Sequence, residues 1–181
     1  MTTYADGVFQ YGGMPVTGGV PPFVSRYSKT FFVDPVNGAD GNSGEKPQDA
    51  FASLYRAHTK MTAGQNDVCY LIGTGAAAGS CRLSLANAIA AQEPSETAAT
   101  TGTLTWSKNA CHLIGIAAPG NNARARIATP TGTYTEATFN ALPFITVSAA
   151  GCFFKNLSTF QQFSTGADGE ICFDITGSYN I

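Results

Sequence analysis

Asp34, Asn37, Asp40 and Asn42 place four oxygen-bearing side chains in one short glycine-rich stretch, a composition suited to holding a divalent cation. Their spacing departs from the EF-hand loop and lacks its closing bidentate glutamate. They therefore read as turn residues whose side chains bond their own backbone. His58 and His112 are the only histidines, and they fall on different elements: one on the apolar face of a helix, one at the head of a strand. Such a pair reads as two core or edge histidines, not as ligands. Glycoside hydrolysis needs two carboxyl groups about 5–9 Å apart. The acids of the strand-rich half are Glu136, Asp168, Glu170 and Asp174. Asp168-Gly169-Glu170 forms a turn, and Asp174 alternates with Phe173 and Ile175, so a Glu170–Asp174 pair reads as a solvated rim.

Nucleophilic and nucleotide chemistry leave no signature. The sequence contains no Gly-x-Ser-x-Gly, no P-loop and no dinucleotide fingerprint. Gly12-Gly13 and Gly18-Gly19 lie in an extended segment, away from any strand-to-helix turn that would cradle phosphate. Five cysteines are scattered without a C-x-x-C pair. Four of them, Cys69, Cys111, Cys152 and Cys172, lie in or beside apolar strand runs, where a thiol packs as a small hydrophobe. The expectation is a non-enzymatic protein with no cofactor and no metal.

Only 12% of the 181 residues are charged, and 20 are glycine. The net charge of −2 gives no electrostatic footprint for nucleic acid. Arg124, Arg126 and Lys108, the nearest approach to a basic cluster, read as solvated loop residues. The N-terminal residues lack the basic and apolar regions of a secretory signal. No apolar run approaches the roughly 20 residues that cross a bilayer. Folding in the cytoplasm, with thiols reduced and no membrane partner, is expected.

The elements fall into three parts. Residues 1–29 form an extended arm, because Pro15, Pro21, Pro22 and repeated glycines prevent a helix or a central strand. The arm is nevertheless rich in apolar side chains: Tyr4, Val8, Phe9, Tyr11, Met14, Val16 and Phe23. Flexible linkers are poor in such residues, so the arm is expected to bury them against its own body, a neighbouring subunit or another protein. Residues 30–110 form an opening module. It holds a strand at 30–33, a helix over 47–61, and a buried strand at 68–73. The helix carries Ala50, Leu54, Ala57, His58 and Met61 on one face. From Thr74 the Ala- and Gly-rich residues up to Ala91 admit either a short helix or a loop, and Pro94 with the Thr-rich run 97–103 marks an exposed insertion before Leu104. In residues 111–181 short apolar strands alternate with turns, at 112–116, 126–128, 144–147, 152–157, 171–175 and 179–181. Leu-Ile-Gly at 71–73 and again at 113–115 suggests a repeating unit.

The stretch Phe32-Val33-Asp34-Pro35-Val36-Asn37-Gly38-Ala39-Asp40-Gly41, with a helix behind Pro47, resembles the opening of right-handed parallel β-helix proteins. There, one helix caps the first rung. It is most similar to the β-helical virion proteins of tailed bacteriophages, which begin with an aromatic-Val-Asp-Pro-x-x-Gly-x-Asp-Gly turn. The resemblance implies a mainly β fold, a right-handed parallel β-helix (a pectate-lyase-like solenoid) with one capping helix and an extended N-terminal arm. It further implies a virion protein, a capsid decoration or head-fibre protein, whose arm binds the major capsid protein or another virion protein. Proteins of this kind form homotrimers. The alternative is a tail-associated spike or fibre that binds or cleaves host surface polysaccharide, with Trp106, Tyr134 and Phe160 as stacking platforms. The apolar run 179–181, without a polar cap, points to rungs that continue or to cover from another chain.

Overall fold

Backbone pairing explains why so many short, weakly hydrophobic strands hold together. The computed structural model describes residues 25–73, 81–82, 104–117, 125–128, 145–160 and 173–181. Among these the fold is mainly β, with one α-helix, α1 (Leu54–Lys60), and no helix long and apolar enough to cross a membrane. The first sheet orders β1 (Thr30–Val33), β2 (Asp67–Gly73), β5 (Cys111–Ala117) and β8 (Phe154–Lys155). The second orders β4 (Leu104–Trp106), β7 (Ile145–Val147) and β10 (Phe173–Ile175). The third orders β3 (Cys81–Arg82), β6 (Ala125–Ala128) and β9 (Leu157–Phe160). All pairs are parallel. Each strand from β2 to β7 pairs with the strand three places further along the chain, so the polypeptide visits each of the three sheets before returning to the first.

Alternation sets which side chains enter the core. Leu104 and Trp106 are buried while Thr105 is exposed, and Ile145 and Val147 are buried beside half-buried Thr146. With Phe31, Val33, Cys69, Leu71, Leu113 and Ile127 they form one cluster, against which α1 lays Leu54, Tyr55 and Ala57. The helix face expected from the sequence is the buried face: Ala50, Leu54, Ala57, His58 and Met61 are all inside. On the opposite side of the first sheet, Phe32 stacks on its register partner Tyr70 at 5.6 Å.

Several boundaries differ from the sequence expectation. The 47–61 helix is a single 3-10 turn at Pro47–Asp49, an extended link, and then α1 from Leu54. Phe51 interrupts it: its N–H donates to Phe32 O, its carbonyl accepts from Asp34 N, and it bridges Val33 in parallel. Pairing with β1 outweighs helical propensity there. The expected strand 152–157 breaks at Asn156, whose φ of 56° turns the chain from β8 into β9. Residues 179–181 form no regular strand. The Leu-Ile-Gly echo is two residues out of register, because Leu71 lies opposite Gly115 and Leu113 opposite Cys69. The helix or loop expected up to Ala91 is described only at Cys81–Arg82, which form a strand, and the insertion expected at 94–103 lies outside the described residues.

Turns stack as well as strands. Asn66, Ala110, Gly151 and Tyr179 all have left-handed φ values, 60°, 50°, 68° and 59°. The strand registers place Asn66 beside Ala110 and Ala110 beside Gly151. Backbone bonds continue the column: Gly64 N donates to Asn109 O, Ala110 N to Ala150 O, and Gly151 N to Ser178 O. A left-handed alanine costs about 1–2 kcal/mol, so Ala110→Gly is expected to raise stability by about 1 kcal/mol. Gly115 is the opposite case. A Cβ there would strike the Asn156 carbonyl and the Ala125 side chain, and Gly115→Ala is expected to cost about 3 kcal/mol. Chemical denaturation of the two variants checks both signs.

Candidate functional site

The oxygen-rich turn is a bracket for the opening module. Asp34 Oδ1 accepts from the backbone N–H of Val36 and Asn37, and Oδ2 accepts from the Asn37 amide at 3.1 Å. Burial pushes the Asp34 carboxyl up, but these donors outweigh it and hold the group below its ordinary value. Asp40 Oδ1 accepts from Ala52 N and Ser53 N, and its Oδ2 from Ser53 Oγ at 2.8 Å. Asn42 donates to Ala50 O. Ser53 in turn caps α1, accepting from Arg56 N. Asp34, Asp40 and Asn42 thus bond backbone of the turn and of the helix entrance, and Asn37 donates to the Asp34 carboxylate.

At the other end of α1 sits a residue the sequence misassigned. Lys108, expected as a solvated loop cation, sends Nζ to three carbonyls at the helix C-terminus: His58 O at 2.6 Å, Thr59 O at 2.8 Å and Met61 O at 2.8 Å. Those carbonyls have no intrahelical donor and carry the negative end of the helix dipole, which a cation suits. His58 is fully buried; its Nε2 accepts from Ser107 N, and its ring lies 4.9 Å from Trp106. Trp106, weighed as a sugar platform, is instead wholly inside, with Nε1 donating to Cys111 O. Tyr134 lies outside the described residues.

Asp67 is the buried acid that spacing did not single out. Its Oδ1 accepts from Lys29 N and its Oδ2 from Thr62 N, each at 2.7 Å. It ties the lead-in of β1 to the loop after α1. The cysteines behave as expected where they are described. Cys69, Cys111 and Cys152 are buried and unbridged. Burial, with the nearby Asp67 charge adding to it, pushes the Cys111 thiol up to about 12; burial also raises Cys152. Neither supplies a thiolate near neutral pH. The expected burial of Cys172 falls outside the described residues. His112 lies in the core, its Nδ1 accepting from Phe153 N and its Nε2 3.4 Å from Asn66 Oδ1. Those partners fit a neutral imidazole with the proton on Nε2. Burial lowers its pKa, against a smaller opposing pull from Asp67.

Of the acids weighed for glycoside cleavage, Asp174 is half-buried in β10 opposite Thr146, while Glu136, Asp168 and Glu170 are outside the described residues. The arm residues Tyr4, Val8, Phe9, Tyr11, Met14, Val16 and Phe23 are outside them too. Its last residues, however, are tied to the body: Ser25 and Ser28 hydroxyls donate to Gln65 O, and Lys29 O accepts from Val68 N.

One site with room for a ligand among the described residues is apolar. A cavity of about 350 Å³ opens beside the last layer, lined by Phe154, Leu157, Phe173, Ile175, Asn180 and Ile181. A train of rings leads to it from the helix, His58 to Trp106 to Phe154 to Phe173, with successive centroids 4.9, 5.9 and 6.1 Å apart. Such a surface buries apolar chain and offers no acid, base or nucleophile.

Asp40→Ala strips two backbone N–H groups and Ser53 of their acceptor and is expected to cost about 2 kcal/mol in thermal or denaturant unfolding. Lys108→Met, which keeps the stem but removes the ammonium, is expected to cost a similar amount. The folded pKa of His112 lies below the ordinary 6.5. Below pH 6.5 the unfolded chain therefore binds more protons than the folded one. The stability contribution is full above that pH and is lost as pH falls toward the folded value. Denaturant midpoints measured from pH 7.5 to 5 should fall more steeply for the wild type than for His112→Gln.

No family model, curated protein or solved structure matches this chain.

Proposed function

We propose that this chain is a non-enzymatic structural protein of a tailed-bacteriophage virion, a capsid decoration or head-fibre protein. Its body is a right-handed parallel β-helix, and its N-terminal arm is the anchor. The observation that carries the reading is the strand order: every strand from β2 to β7 pairs in parallel with the strand three places on, across three sheets. A chain that coils once through three sheets and lies down on its previous turn produces that order. Parallel crossovers are overwhelmingly right-handed, which supports the hand.

The non-enzymatic part of the reading is supported by where the polar groups go. Asp34, Asp40, Asp67 and Lys108 each bond backbone groups that hold elements together. The virion assignment rests on the turn from Phe32 to Gly41, in which Asp34 closes the turn itself and Asp40 ties it to the entrance of α1. Burying the apolar side chains of the arm, at about 1.5–3 kcal/mol for each large one fully enclosed, supplies the adhesion. A homotrimer would let each chain cover its neighbours' flanks.

Co-sedimentation with expanded, tailless capsids tests the reading, comparing the full chain with one lacking residues 1–24. The cut stops before Ser25 because Ser25, Ser28 and Lys29 bond the body. The full chain is expected to pellet with capsids and the shortened chain to remain in solution. Failure of both to bind would move the protein to the tail and favour the polysaccharide-directed reading.

A further inference from the structure

Two of the buried cysteines are stacked one layer apart. β5 and β8 pair Leu113 with Phe154, and the ladder runs back through the bonds from Leu113 N to Phe153 O and from Ala110 N to Ala150 O. Two residues before Leu113 and Phe154, that register sets Cys111 opposite Cys152. Both side chains face the core, 0% and 1% exposed. Neighbouring strands lie about 4.8 Å apart, within the range of roughly 4.4–6.8 Å between Cα atoms that a disulfide spans. Each thiol donates to a carbonyl of the preceding layer, Cys111 Sγ to Thr62 O at 3.6 Å and Cys152 Sγ to Lys108 O at 3.5 Å. The two groups also sense each other. Burial raises the Cys152 thiol, while the N–H groups of Cys111 and Ala110 and the Trp106 indole, directed at its sulfur, oppose that rise. At Cys111, Cys152 adds to the larger effects of burial and the Asp67 charge. Cys69, by contrast, is flanked in the ladder by Phe31 and Leu113.

We propose that Cys111 and Cys152 are a modification site, a thiol pair that closes to a disulfide when the chain folds in the presence of a low-molecular-weight disulfide such as glutathione disulfide. One cysteine thiolate attacks glutathione disulfide, forming a mixed disulfide and expelling one glutathione thiolate. The second cysteine attacks the protein sulfur of that intermediate and expels the other glutathione. Two Sγ–H bonds are lost and one Sγ–Sγ bond forms; the two electrons reduce glutathione disulfide to two glutathione thiols, which take up the two protons. The reaction belongs to folding and not to the folded protein. Enclosed in the core the two sulfurs stay protonated and unbridged, whereas in the open chain they are solvated, ordinary thiols. The bond ties the layer of β5 to the layer of β8 across the segment that carries β6 and β7. Closing that loop restricts the unfolded chain and so stabilises the folded one.

The reduced chain is refolded from denaturant at pH 8 with glutathione and glutathione disulfide, and in parallel with dithiothreitol. Alkylation with mass analysis finds the free thiols, peptide mapping locates any cross-link, and amide exchange in β2 and β5 reports whether the product is folded. In the oxidised sample Cys111 and Cys152 are expected to escape alkylation together and to appear in one linked peptide pair. Its thermal midpoint is expected to lie about 5–10 °C above that of the reduced sample. Protein folded first in dithiothreitol and then given glutathione disulfide is expected to form the link at least about tenfold more slowly. In Cys152→Ala, Cys111 is expected to remain open to alkylation after the same refolding. A folded product in which both thiols stay free would overturn the proposal. So would a folded product in which Cys111 is linked to any cysteine other than Cys152. A Cys111–Cys152 link found only in chains that have lost protection in β2 and β5 would overturn it as well, because the bond would then belong to misfolded material.

Discussion

Every layer of this protein depends on the layer beside it to satisfy its backbone. Parallel strands cannot close on themselves through a tight hairpin, and strands of two to seven residues bury too little to stand alone. The order in which each strand meets the strand three places on meets both difficulties. β2 is paired along its whole length between β1 and β5, and even the turns donate into the following turn. Where two strands approach most closely a side chain does not fit, as at Gly115 beneath the Asn156 carbonyl. The small, uncharged composition follows from that geometry, because large or charged residues at the corners would separate the layers.

The polar side chains are spent on the same constraint. A turn between strands leaves N–H and carbonyl groups that no ladder reaches, and leaving them buried and unpaired costs about 1–3 kcal/mol each. Asp34, Asp40, Asn42 and Asp67 meet donors or acceptors in the opening module, Lys108 meets three carbonyls at the end of α1, and Asn109, Asn156 and Asn180 bond carbonyls or N–H groups of neighbouring layers. An acid held in this way is poorly available for catalysis. Among the described residues an apolar cavity lies beside β8, β9 and β10.

Much of the strand map was legible in the sequence because it is written in short-range terms. The strand at Thr30–Val33 matches its expected bounds, and 68–73, 112–116 and 126–128 each differ by a residue or so. β-branched and aromatic residues between Gly, Asn and Asp turns mark them. The apolar face of α1 was equally visible. The errors arose where a distant partner intervened: Phe51 was drawn out of a helix by β1, and Trp106 was drawn inward between His58 and Phe154. The Leu-Ile-Gly echo failed because register is set by stacking across layers, not by a repeated tripeptide.

Local composition alone therefore settled that the chain is mainly β, where β1, β2, β5 and β6 lie to within a residue or so, and that Cys69, Cys111 and Cys152 would be buried. Those properties depend on neighbours a few residues apart. The tertiary structure decided which strands pair and in what register, that Lys108 caps a helix far from it in sequence, that Asp67 is the most deeply buried acid among the described residues, and that β9 and β10 lie outermost in their sheets there. Each of these depends on contacts between residues from different layers, and no short window of sequence contains both partners.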